Sequence, residues 1–94
     1  MDIPPPPAIY DHVYHGKLVE RRGTPAQVEH FCHTQQGIVS PYRALGCAIH
    51  RGKSCTIMIT QVGGKVTAQV QSQIRRHEMA HCNGWPADHT RPPS

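Results

Sequence analysis

The chain has few of the residues from which large hydrophobic cores are built. Of its 94 residues, 37% are hydrophobic and 5% are aromatic, with one tryptophan and one phenylalanine. A chain of this length forms a single domain, and a domain this small buries a limited share of its surface. We therefore expect a small core that a metal ion or disulfide bonds help to stabilise.

Long apolar runs and basic clusters are also missing. No segment of the sequence is apolar enough and long enough to cross a membrane, so we expect no membrane span. The net charge is +4, but the basic residues are scattered, mostly in pairs, and aromatic residues do not alternate with them. Nucleic-acid-binding surfaces usually concentrate basic residues on one face. We therefore expect a solvated basic surface and no nucleic-acid partner.

The four cysteines show none of the C-x-x-C spacings of zinc ribbons or redox centres. An even number in a short chain is typical of two disulfides and an oxidising compartment. Cys47 and Cys55 flank a turn-like segment and would face each other across a hairpin, so we predict that they pair. Cys32 and Cys82 would then pair with each other or stay reduced. We expect an exported or periplasmic protein; four reduced cysteines in a cytoplasmic protein are the alternative.

The beginning of the chain is rich in proline. Pro4–Pro7 favour an extended polyproline conformation and are incompatible with a helix or a central strand. We predict an extended arm over residues 1–9, which acts as a tether or as a ligand for a proline-recognising partner protein. Residues 10–94 are predicted to form the single domain.

Beyond the arm, turn and capping signals predict a small α+β fold. Residues 10–20 alternate weakly and predict a ragged strand or hairpin. Thr24 and Gln27 form a capping box around a proline, which predicts a short helix to about Gln35 that ends at Gly37. Further strands are predicted at residues 38–42, 44–50 and 55–62. We expect a small antiparallel sheet with the short helix and a second, metal-binding helix packed on it.

Residues 77–81 of the second helix read H-E-x-x-H. Histidines at i and i+4 lie one turn apart on the same helix face, so both imidazoles can bind one metal ion. Glu78 is offset around the helix and can act as a base on a metal-activated water. Gly84 is expected to end the helix in the left-handed region, and Pro86 prevents it from resuming. The alternative is a metal-free amphipathic helix with two hydrogen-bonded histidines.

Residues 77–84 resemble the H-E-x-x-H-x-x-G core of zincin metallopeptidases, in particular the metzincin branch. The longer string to His89 is similar to that of small bacterial proteins with the pattern H-E-x-x-H-x-x-G-W-x-x-D-H. In metzincins the third ligand lies three residues after the glycine, where this chain has Ala87, which cannot bind metal. The family's later methionine turn is missing as well. We therefore expect His89 to be the third ligand, with Asp88 either as an alternative ligand or as a hydrogen-bond partner of a ligand histidine.

The resemblance implies a small minimal-zincin-like fold and a zinc-dependent metallohydrolase of the peptidase type. On that interpretation His77, His81 and His89 hold Zn²⁺ and Glu78 is the general base. The substrate would be a peptide or protein, which pairs with an edge strand beside the motif helix at residues 44–50 or 55–61.

Two alternatives stay open. The first is a zinc-binding module without catalysis, in which a fourth ligand such as Asp88 closes the coordination sphere. The second is a disulfide-stapled interaction protein without metal. Tyr10, Tyr14 and Tyr42 are candidates for an oxyanion donor, and nothing in their spacing selects one.

Overall fold

The structure is a computed structural model that describes residues 3–36 and 45–92. Within these two ranges, three strands and two helices follow a short 3₁₀ turn. In chain order the elements are the turn Ala8–Tyr10, β1 Lys17–Gly23, α1 Pro25–Gln36, β2 Gly46–Arg51, β3 Ser54–Thr60 and α2 Ala68–Cys82. The predicted α+β class is confirmed. The predicted strand at residues 38–42 and the predicted helix stop at Gly37 lie outside the described residues.

The sheet is mixed, with β3 in its centre and the strand order β1-β3-β2. β2 and β3 form an antiparallel hairpin, whereas β1 runs parallel to β3, with Leu18 beside Cys55. The sequence predicted an antiparallel sheet because its strand signals do not encode direction. After β1 the chain passes through α1 and forms β2 at the opposite edge of the sheet before it enters the central strand β3. The connection from β1 to β3 is therefore long enough for parallel pairing, which needs about a dozen residues or more.

The sheet lies between the two helices. Successive residues of a strand face opposite sides, so β3 contributes to apolar clusters on both faces of the sheet. On one side Met58 packs with Val28 and Cys32 of α1. On the other side Ile59 packs with Ile74 of α2. The predicted apolar stripe of the motif helix therefore covers one face of the sheet and leads directly to the histidines.

Side-chain caps set the beginning of both helices. Before α1, the Thr24 hydroxyl accepts a hydrogen bond from the Gln27 backbone N–H at 3.2 Å, and the Gln27 side-chain oxygen accepts one from the Thr24 N–H at 2.9 Å. This is the predicted capping box. Before α2, the Thr67 hydroxyl accepts a hydrogen bond from the Val70 N–H at 3.1 Å. Each cap satisfies backbone donors that have no partner within the helix.

The disulfides join different pairs than the sequence predicted. Cys32 pairs with Cys47, which connects α1 to β2, and Cys55 pairs with Cys82, which connects β3 to the end of α2. The predicted Cys47–Cys55 bridge is wrong because Cys47 lies opposite Met58 in the hairpin and faces α1, whereas Cys55 faces α2. The complementary Cys32–Cys82 bridge is wrong for the same reason. Two disulfides are consistent with an extracellular or other oxidising environment.

Residues 3–11, which we call the N-terminal strap, lie against α2. Pro7 has polyproline dihedrals, with φ −59° and ψ 146°, and both Pro6 and Pro7 are buried. Ile3 packs beside the core cluster of Ile59 and Ile74. The strap therefore forms part of the packed body. Neither helix among the described residues has the length and hydropathy needed to cross a bilayer.

We predict that each disulfide contributes substantially to the stability of this small core. The bridges span 15 and 27 residues, which corresponds to about 3 kcal/mol each in the chain-entropy model. Replacing either cysteine pair by alanines should lower the free energy of unfolding by about that amount, measured by denaturant titration. Peptide mapping of the unreduced wild type checks the pairing. A peptide that joins Cys47 to Cys55 would contradict the structure.

Gly46 sets the distance between β2 and α2. A Cβ atom at this position would lie 2.9 Å from both the Met58 carbonyl oxygen and the Ile74 Cγ2, and 3.2 Å from the Glu78 Cγ. We therefore expect Gly46→Ala to lower the free energy of unfolding by about 1–3 kcal/mol, because the strand must move away from the helix. At Gly63 an added Cβ meets nothing within 4 Å, so Gly63→Ala is the control and should be close to neutral. Equal melting temperatures of the two variants would refute this.

Candidate metal centre

Three histidine side chains converge at the end of α2. His77 and His81 lie one turn apart, with their Nε2 atoms 3.3 Å from each other. His89 comes from the loop after the helix, and its Nε2 lies 3.0 Å from that of His77 and 3.2 Å from that of His81. The three residues that the sequence suggested as ligands are thus within metal-binding distance of one another.

A glycine turn ends α2 and redirects the chain. Gly84 has a φ of 105°, which favours a residue without a Cβ. Its N–H donates to the His81 carbonyl at 3.1 Å, and the Trp85 N–H donates to the Ala80 carbonyl at 3.1 Å. This pair of hydrogen bonds is the Schellman motif, and it confirms the predicted helix stop. The chain therefore reverses directly after His81.

The next turn places His89 over the other two histidines. The His89 N–H donates to the Pro86 carbonyl at 2.9 Å, and His89 has a φ of 61°, which histidine tolerates better than most residues. The Asp88 carboxylate accepts hydrogen bonds from the backbone N–H of Thr90, at 3.0 Å, and from its hydroxyl. Asp88 therefore holds the loop in shape, and its oxygens are not among the converging ligand atoms.

Backbone carbonyls hold the outer nitrogens of two of the rings. The Nδ1 of His77 donates to the Pro4 carbonyl at 3.0 Å, and the Nδ1 of His81 donates to the Trp85 carbonyl at 2.8 Å. A carbonyl can only accept, so each Nδ1 carries the proton and each Nε2 directs a lone pair to the centre. Two lone pairs so close together repel each other unless a cation lies between them. The arrangement therefore favours a bound metal ion.

The charge state of the rings suits metal binding. Partial burial lowers the pKa of His77 and of His81, and neighbouring histidines lower both further, against the opposite effect of the carbonyl hydrogen bonds. Lower pKa values keep the two imidazoles neutral at neutral pH. Neutral imidazole is the form that binds metal.

The ring of Trp85 packs against all three histidine rings, a role that was not identified from the sequence. Its side chain is 3% exposed, and its ring lies 4.9 Å, between centroids, from each of the three histidine rings. It stacks on His81 with an angle of 12° between the planes. The indole N–H donates to the Thr90 carbonyl at 3.1 Å. A lone tryptophan directly after the glycine stop was the available signal for this role.

A cleft of about 360 Å³ opens over the histidines, between α2 and β2. Gly46, Cys47 and Ala48 of β2 form its far wall, and Glu78 lines it next to the histidines. Glu78 is 7% exposed, and this burial raises the pKa of its carboxyl to about 8. A cation held by the histidines would lower that pKa again, because a nearby positive charge favours the carboxylate.

The candidate oxyanion donors lie elsewhere or outside the described residues. Tyr10 and Tyr14 do not line the cleft, and the Tyr14 hydroxyl is 3.1 Å from the His50 Nε2. Tyr42 lies in the range that the structure does not describe. Sequence spacing had not selected any of the three.

Comparison of the chain with known protein families, curated proteins and solved structures found no match. The resemblance to zincins therefore rests on the motif alone and stays a prediction.

We predict that the chain binds one divalent metal ion through the three histidines. His77→Ala, His81→Ala and His89→Ala should each lower the bound metal from about one ion per chain to a small fraction, because two imidazoles remain. His30→Ala removes an exposed histidine on α1 and serves as the control. Elemental analysis of protein prepared without chelator gives the stoichiometry. Undiminished metal in all three variants would contradict the site.

Proposed function

We propose that this protein is a zinc-dependent hydrolase of the peptidase type, in which His77, His81 and His89 hold the ion and Glu78 is the general base. The observation that carries the proposal is the convergence of three Nε2 atoms, 3.0 to 3.3 Å apart, beside a buried carboxylate in one open cleft.

The ligand set and its spacing support zinc. Zinc–nitrogen bonds of 2.0–2.1 Å in a tetrahedron place the nitrogen atoms about 3.3 Å apart, close to the 3.0 to 3.3 Å separating these histidines. Three neutral protein ligands also form a donor set of catalytic zinc sites, which keep a fourth position open. Structural zinc sites are usually closed by four protein ligands.

The alternative of a closed, non-catalytic zinc module requires a fourth protein ligand. Asp88 was the candidate, and its carboxylate accepts hydrogen bonds from the backbone N–H and the hydroxyl of Thr90. Its oxygens are not among the converging ligand atoms. The loop geometry therefore favours a three-histidine site with an open position.

The position of Glu78 supports general-base chemistry. Zinc bound by three histidines lowers the pKa of a water molecule at its open position to about 7. Glu78 follows a ligand histidine and lines the same cleft, so its carboxylate can accept the proton of an attacking water and pass it to the leaving amine. Burial of Glu78 also limits competing contacts with solvent.

The sheet topology supports a peptide substrate. Of the two strands predicted to pair with substrate, β3 is paired on both sides, whereas β2 pairs with β3 alone among the described residues. β2 also forms the far wall of the cleft. An extended peptide can add to such an edge through backbone hydrogen bonds. Gly46 and Ala48 on this wall offer few side-chain contacts, so we expect broad sequence tolerance.

We predict that Glu78→Gln binds zinc as well as the wild type but loses hydrolysis of a labelled, unstructured protein by a factor of about 100 or more, because the attacking water loses its base. His77→Ala, without zinc, is the negative control for contaminating proteases. Equal hydrolysis by Glu78→Gln and wild type would refute the peptidase function. Zinc binding without any hydrolysis by the wild type would instead indicate the non-catalytic zinc module.

A further inference from the structure

We infer that the N-terminal strap, residues 3–11, is a positioning element of the metal centre, because the carbonyl of Pro4 orients the ring of His77. The inference builds on the metal centre of the proposed function, and it assigns a role to a segment remote from the motif in sequence.

The two helical histidines are oriented from very different parts of the chain. His81 donates through Nδ1 to the carbonyl of Trp85, four residues away. His77 donates through Nδ1 to the carbonyl of Pro4, 73 residues away. The motif and its glycine turn thus supply the partner of one ligand. The other ligand depends on where the strap lies, since a ligand histidine whose outer nitrogen has no acceptor can rotate and change tautomer.

The strap is anchored by residues close to the three histidines. Arg91, two residues after the third histidine, donates to the carbonyl of Pro5. Arg76, directly before the first histidine, donates through Nε to the two carboxylate oxygens of Asp11 at 2.9 and 3.1 Å. The side-chain amide of Asn83 donates to the Tyr10 carbonyl at 3.0 Å. These contacts fix the position of the strap relative to the segment that carries the ligand histidines.

A run of prolines suits this role. Proline has no backbone N–H and a fixed φ, so Pro4–Pro7 present carbonyls in defined directions with little conformational entropy to lose. Pro6 and Pro7 are buried, and the carbonyls of Pro4 and Pro5, directly before them, accept hydrogen bonds from His77 and Arg91. Neither a tether nor a ligand for a partner protein would require this burial.

Two variants that release the strap through different contacts test the inference. Arg91→Met removes the donor to the Pro5 carbonyl, and Asp11→Asn weakens the ion pair with Arg76. The first readout is the tautomer of His77 in zinc-free protein, measured by ¹⁵N NMR at about pH 8, where imidazoles are neutral. The wild type should carry the proton on Nδ1. Both variants should shift it towards a mixture of the two tautomers.

The second readout is zinc affinity, measured by competition with a chelator. Loss of a partner that orients a ligand typically weakens metal binding by 10–100-fold, so we expect about a tenfold loss in each strap variant. Arg22→Met is the matched control, because it removes an exposed arginine whose ion pair with Glu20 lies within β1. This control should bind zinc within about twofold of the wild type.

An unchanged His77 tautomer together with unchanged zinc affinity in both strap variants would overturn the inference. Lower thermal stability with the tautomer unchanged would also overturn it, because the strap would then act only through packing. A wild type that shows the Nδ1 proton but binds no zinc would refute the proposed function instead. The tautomer comparison would still decide the role of the strap.

Discussion

Two imidazole lone pairs, directed at one point beside the Nε2 of a third histidine, are the constraint on which this small structure is organised. The Nε2 atoms of His77 and His81 lie 3.3 Å apart and their lone pairs repel each other, so both rings must be held from their far side. α2 supplies two rings in one helical turn, and the loop after Gly84 supplies the third. Carbonyl acceptors from Trp85 and Pro4 then fix the proton positions of the two helical rings. Local helix geometry, a turn motif and a remote segment therefore act on one set of atoms.

The rest of the fold anchors the end of α2 that carries these rings. The Cys55–Cys82 bridge attaches the residue after His81 to the central strand. Gly46 permits close contact between β2 and the helix at Glu78, which brings the edge strand to the cleft. With so few large apolar residues, the chain relies on two disulfides and close backbone packing for rigidity. A site of this kind needs such rigidity because ligand atoms must be held to within a fraction of an ångström.

Local signals were the reliable part of sequence interpretation. The capping box at Thr24 and the glycine stop at Gly84 depend on contacts between residues at most five apart, and both occur as predicted. The H-E-x-x-H spacing placed His77 and His81 on one face of a helix for the same reason. The disulfide pairing failed because it depends on strand register: Cys47 and Cys55 are close in sequence but face opposite sides of the sheet. The parallel pairing of β1 was likewise hidden, since it depends on the path of the chain through α1.

The sequence by itself determined the α+β class, the two helices, the capping box at Thr24, the glycine stop at Gly84 and the pair of histidines one turn apart, because helical periodicity and turn chemistry act over a few residues. Only the tertiary structure decided that His89 lies beside His77 and His81, while Asp88 accepts hydrogen bonds from Thr90. It also decided that Trp85 packs against all three histidine rings and that the Pro4 carbonyl orients His77. Those contacts depend on the direction of a loop and the docking of a remote strap. Several segments of the chain could fill the same space or form the same hydrogen bonds. Residue spacing along the chain does not show which of them does so in the folded protein.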